Sequence, residues 1–211
     1  HNRKHKSIFM DESKDLNDKL SLGLSFRTDD FDSFDQAYTG STNLRYRVSD
    51  GNYIHLGISR SMRIPSFTEL YYSGQEWQAE NITEAEVSGI ENYLKFKIKP
   101  NLTLDSNYTY INKRINDRGY IYKYGPNYIK HLINNMLSLN LPFGIQTIEL
   151  TYKKKPSRRG WFLFNTHLSY NLNKNSQLFL DISNLLNVEY QEIEGIPQPG
   201  RWVESGLRFE W

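Results

Sequence analysis

"PGRWVESGLRFEW" (Pro199–Trp211) alternates apolar and polar residues along its whole length. Successive side chains of an extended strand point to opposite faces, so a period of two is the mark of a two-faced strand. Val203, Ser205, Leu207, Phe209 and Trp211 fall on one face, and Trp202, Glu204, Gly206, Arg208 and Glu210 on the other. A soluble domain usually frays into polar, disordered residues at its end. Here the alternation persists through Trp211.

The same period runs upstream, and helical periodicity is nearly absent. Leu20, Leu22, Leu24 and Phe26 alternate with polar residues, as do Tyr38, Leu44, Tyr46 and Val48, then Ile54, Leu56 and Ile58. Further strands are predicted from about Thr83 to Lys99, over Leu102–Tyr110, Ile133–Leu141, Ile148–Tyr152, Phe162–Leu172 and Leu178–Ile182. That makes about ten strands, with an eleventh in His5–Ser13. The connections sort by length. "SDGN", "KPN", "PFG" and "NLNKNS" are tight turns, and Asp-Gly is a strong hairpin signal. Between them lie longer segments: Thr28–Gln36, Ser61–Ile82, Lys113–Pro126, Lys154–Gly160 and Asn187–Gly200. Short turns on one side and long loops on the other are the pattern of a transmembrane β-barrel. A soluble β-sandwich, the competing reading, has no need to sort its loops.

Bulk composition agrees. Mean hydropathy is −0.67, yet 15 Tyr, 11 Phe and 4 Trp make the chain aromatic-rich. No run approaches the roughly 18 apolar residues of a transmembrane helix. A barrel needs none, because every second side chain faces a wet lumen. Trp161, Tyr190, Trp202 and Trp211 lie near strand ends, where an interfacial aromatic girdle is expected. The 26 basic and 24 acidic residues are scattered, which excludes a nucleic-acid footprint. With no cysteine, thiolate metal sites, disulfides and cysteine nucleophiles are excluded.

The C-terminal quarter resembles the end of a TonB-dependent outer-membrane receptor. The carriers are Asn184, Leu185, Leu186 and Asn187, then Tyr190, then Pro199, Gly200 and Arg201. "SRSMRIPSFTELYY" (Ser59–Tyr72) is similar to a second family segment through Arg63, Pro65, Glu69, Leu70 and Tyr71. "LGLSFRTDD" matches a third through Arg27 and Asp29, with Ser25 where the family has glycine. The resemblance implies an all-β, antiparallel barrel of about 22 strands around a plug. Residues 1–211 are then one portion of it, the C-terminal ten or eleven strands, with the plug outside the chain. It also implies an outer-membrane location and a transporter without enzymatic chemistry or a cofactor. Implied partners are the TonB–ExbB–ExbD complex acting through the plug, the remaining barrel, outer-membrane lipid and lipopolysaccharide, and a small-molecule ligand. Phe209 and Trp211 resemble the terminal signal read by the barrel assembly machinery. The spacing from Tyr190 to Arg201 resembles the cobalamin-receptor branch, with ferric siderophore or heme as alternatives.

Candidate sites follow from residue type. Tyr71, Tyr72 and Trp77 in one long loop, and Tyr120, Tyr122 and Tyr124 in the next, suit ligand capture above a rigid scaffold. They suit interfacial anchoring equally. Asp29, Asp30 and Asp32 form an oxygen-rich segment with Asp35. It lacks the glycine and terminal glutamate of an EF-hand, so a solvated acidic loop is expected and no metal site. "KKKPSRR" (Lys153–Arg159) is a basic loop, open to anionic lipid or ligand, or simply solvated. Five dispersed histidines (His1, His5, His55, His131, His167) show no metal or triad spacing. This leaves a small barrel enzyme without a catalytic cluster.

Overall fold

The structure, a computed structural model, describes residues 4–32, 36–63, 84–116, 128–193 and 195–209. Eleven strands form one sheet in which every strand pairs with its neighbours in sequence. They are β1 (His5–Asn17), β2 (Leu20–Phe31), β3 (Ala37–Ser49), β4 (Asn52–Arg63), β5 (Glu84–Lys99) and β6 (Leu102–Asn116). Then come β7 (His131–Leu141), β8 (Gly144–Lys154), β9 (Trp161–Asn173), β10 (Ser176–Ser183) and β11 (Trp202–Phe209). The expected eleventh strand is real and longer than its sequence signal, reaching Asn17.

The odd-to-even connections are all tight. The Asn17 side chain accepts from the Lys19 and Leu20 amides at 2.9 and 3.0 Å and closes the first turn. Gly51, at φ 77, supplies the left-handed backbone of the Asp50-Gly51 turn. Prolines at 100 and 142 and an Asn173-capped Asn175 amide make the later ones. The even-to-odd connections span 32–36, 64–83, 117–130, 155–160 and 184–201. Two boundaries differ from the sequence reading. β2 runs on to Phe31, because β1 and β3 pair with it beyond Thr28. The last connection begins at Asn184, whose backbone leaves the strand region at φ 50.

By contacts the chain falls into two units. In the first (His1–Arg47, His55–Asn92, Tyr110–Tyr128), register aligns Leu20 with Tyr46, Leu22 with Leu44 and Phe26 with Met10 on one face. The opposite face carries the Ser25–Ser41 hydroxyl pair at 2.9 Å and the Arg27–Asp29 ion pair at 2.6 Å. In the second (Val48–Ile54, Tyr93–Thr109, Ile129–Trp211), Leu137, Ile148, Thr166, Ile182 and Val203 form one cross-strand row. Leu139, Gln146, Leu168, Leu180 and Ser205 form the next.

No second layer covers these rows among the described residues. Buried apolar side chains number three there (Ala37, Ala85 and Leu163), while Phe162, Val203 and Leu207 are more than half exposed. A soluble sandwich would bury this face against another sheet. An apolar face of this extent, backed by a polar one, suits hydrocarbon on one side and water on the other.

Candidate ligand cleft and the polar face

The connection 184–201 is organised by asparagine side chains. Asn184 and Asn187 both hold left-handed backbone, at φ 50 and 54. Asparagine tolerates that region because its short amide bonds locally. The Asn184 amide is buried at 4% exposure. It donates to the Val188 and Pro199 carbonyls at 2.9 and 3.4 Å and accepts from the Val188 N–H at 2.9 Å. The Asn187 Oδ1 accepts from the Arg201 N–H at 2.8 Å, and Arg201 Nε donates to the Leu185 carbonyl at 2.8 Å. A Cβ on Gly200 would stand 2.5 Å from that Asn187 oxygen, so any larger residue there displaces the Asn187 side chain. The structure thus brings Asn184, Leu185, Asn187, Pro199, Gly200 and Arg201 into one knot.

A second tie joins this connection to the one before it. Lys153 Nζ donates to the Glu192 carboxylate at 2.6 Å, and the buried Lys155 ammonium donates to the Glu192 backbone carbonyl. Trp161 stacks on Tyr190, with ring centroids 6.0 Å apart. Between the two connections lies a cleft of about 750 Å³, lined by Arg158, Arg159, Trp161, Glu189, Tyr190 and Gln198 among others. Guanidinium groups, side-chain amides and a stacked aromatic pair can bind a planar or anionic molecule by charge-assisted hydrogen bonds and stacking. A cleft of this size suits a small molecule.

Below the cleft, the polar face of β8–β11 is threaded by hydrogen bonds. Asn165 Nδ2 donates to Glu149 Oε2 at 3.0 Å, and Thr151 Oγ1 donates to Glu149 Oε1 at 3.4 Å. Asn165 Oδ1 accepts from the Asn184 N–H at 2.9 Å. One row away, His167 pairs with Asp181 at 2.5 Å, opposite Glu204. No group of three or more potential metal ligands converges among the described residues.

Several expectations are corrected by register. Asp29 and Asp30 are successive residues of β2, so they point to opposite faces instead of sharing a loop. Asp29 is paired with Arg27, and Asp32 accepts from the Lys4 N–H at 3.2 Å. The girdle expectation fails for Trp161 and Trp202. Trp161 is in register with Lys153 on the polar face, and Trp202 lies on the Glu204 side. Aromatic pairs on the apolar face stand there instead: Tyr152–Phe162 at 4.6 Å near the loops and Phe143–Tyr170 at 4.9 Å near the turns. Single-strand alternation could have found them, because Tyr152 and Phe162 share the parity of Ile148 and Leu168. The Lys155–Glu192 and Asn165–Asn184 contacts had no sequence signal.

The loop aromatics Tyr71, Tyr72, Trp77, Tyr120, Tyr122 and Tyr124 lie outside the described residues, as do Pro65, Glu69, Leu70 and Trp211. Arg63 ends β4 and Phe209 ends β11.

Residues 1–79 match the family model of TonB dependent receptor-like β-barrels. No curated protein matches the chain. Solved structures do, as folds. The siderophore receptor PiuA from Acinetobacter baumannii superposes with a TM-score of 0.59 at 15% identity, over 98% of this chain and 43% of its own. The copper transporter OprC gives 0.59 at 13%, over 99% and 47%. The ferric-catecholate import receptor Fiu from E. coli K12 gives 0.65 at 15%, over 98% and 30%. The chain therefore spans less than half the length of each.

Proposed function

We propose that this chain is a stretch of a TonB-dependent receptor β-barrel of the bacterial outer membrane, and that the protein containing it imports a scarce nutrient, a ferric siderophore, by TonB-dependent transport. The observation that carries this reading is the fold match along 98% of the chain to receptors described as siderophore receptors, joined to the family match over residues 1–79. The cleft chemistry supports it, since Arg158, Arg159 and the Trp161–Tyr190 stack suit an anionic, aromatic chelate. Cobalamin is the second reading, favoured by the Tyr190-to-Arg201 spacing.

In this reading the apolar face meets lipid and the polar face meets the lumen and plug. β1 and β11, the edge strands of the sheet, continue into the rest of the barrel, because lipid tolerates no open edge. Phe209 and Trp211 are read by the barrel assembly machinery. The TonB–ExbB–ExbD complex acts through the plug, and ligand is also held by the loop aromatics Tyr71, Tyr72, Trp77, Tyr120, Tyr122 and Tyr124. No bond is made or broken in the ligand.

Uptake of radio-iron from a panel of ferric siderophores, compared with radiolabelled cobalamin, tests this in cells with and without the intact receptor. Loss of energy-dependent iron uptake on deletion is expected, with cobalamin uptake unchanged. The reverse pattern establishes the second reading, and no change in either rejects both.

A further inference from the structure

Glu149 sits on the polar face of β8, yet it connects by side-chain hydrogen bonds to the loop that forms one wall of the cleft. The links are Glu149 Oε2 to Asn165 Nδ2 at 3.0 Å and Asn165 Oδ1 to the Asn184 N–H at 2.9 Å. From Asn184, its side chain reaches the Val188 N–H and carbonyl and the Pro199 carbonyl. Val188 and Gln198 both line the cleft, and the Gln198 N–H donates to the Tyr190 carbonyl at 3.0 Å. Each link is cross-strand or cross-loop, so the chain of bonds runs from the lumenal face to the cleft through two asparagine amides.

The chemistry gives this series a direction. An amide has one acceptor and one donor end. A carboxylate has acceptors and no donor, so Glu149 fixes the Asn165 Nδ2 end toward itself. That leaves Oδ1 facing the Asn184 N–H. With the carboxylate gone, the Asn165 amide loses the acceptor that holds its Nδ2 end, and the Asn184 N–H alone holds the other. The bond that starts the left-handed turn would then lose the group that braces it. Buried polar networks couple their members in this way because an unmet bond there is costly.

We propose that Glu149 and Asn165 are positioning residues for the cleft. They hold Asn184, and through it the cleft wall at Val188 and Gln198, in the arrangement seen. The positioning claim stands on geometry alone. Its use in transport rests on the reading that the cleft takes ligand.

Hydrogen exchange of the intact receptor in detergent tests it without any ligand, so failure here is distinguishable from failure of the siderophore reading. The amides of Val188 and Gln198 report the wall. Glu149→Ala and Asn165→Ala are expected to speed their exchange about two- to tenfold, the range one net hydrogen bond supplies. Glu149→Gln, which can still present a carbonyl to Asn165, restores slow exchange. His167→Ala, on the same face but outside the series, leaves it unchanged. Heat-modifiable migration checks that each variant is folded. Wild-type exchange in both Glu149→Ala and Asn165→Ala overturns the proposal. So does equal loosening by His167→Ala, which would mean that any change on this face disturbs the loop.

Discussion

Asn187 holds its backbone at φ 54 and caps the Arg201 N–H at 2.8 Å, a contact that closes fourteen residues of loop. Gly200 lies between these groups with no room for a methyl group. Gly200→Ala should therefore break the Asn187–Arg201 bond and destabilise the loop by about 1–3 kcal/mol. Thermal loss of the heat-modifiable form in detergent measures it; an unchanged midpoint would show that the knot relaxes freely. The sequence made these residues visible only as a resemblance. The physical reasons, two left-handed asparagines and a close approach across the loop, depend on contacts between residues far apart in the chain. Alternation says nothing about those.

At the scale of the element, the strands were legible and the loops were not. Strands β2 to β11 follow from period-two alternation, which reflects a single local rule. Loop contacts obey no such rule. "KKKPSRR" reads as a charge run, yet Lys155 is buried at 6% exposure and bonds the Glu192 carbonyl, while Lys153 bonds its carboxylate. This tie fixes the β8–β9 connection to the β10–β11 connection and so shapes the cleft. Lys155→Met keeps the aliphatic stem and removes the charged donor to the Glu192 carbonyl, a bond worth about 1.5–3 kcal/mol. Limited proteolysis between 184 and 201 should accelerate accordingly. Lys174→Met, in an exposed two-residue turn, should stay within about 0.5 kcal/mol of the parent. Equal protection of the two variants would show that Lys155 carries no structural load.

For the whole molecule, the deciding question is whether the apolar face meets lipid, and adjacent residues answer it at one depth. Leu180 pairs with Leu168 and Ser205 on the apolar face, whereas Asp181 pairs with His167 and Glu204 on the polar one. An arginine facing the middle of the hydrocarbon costs about 2–4 kcal/mol in a barrel, falling toward the interfaces. Leu180→Arg should then lower the surface level of the intact protein. Asp181→Arg moves the charge by one residue to the watered face, beside Glu204, where like charges now sit opposite each other. It should insert normally. Surface labelling of the two variants reads the difference. Equal losses would mean that strand depth, and not face, governs insertion, and would return the apolar rows to the interior of some other assembly. Normal levels for both would remove lipid as the partner of Leu180.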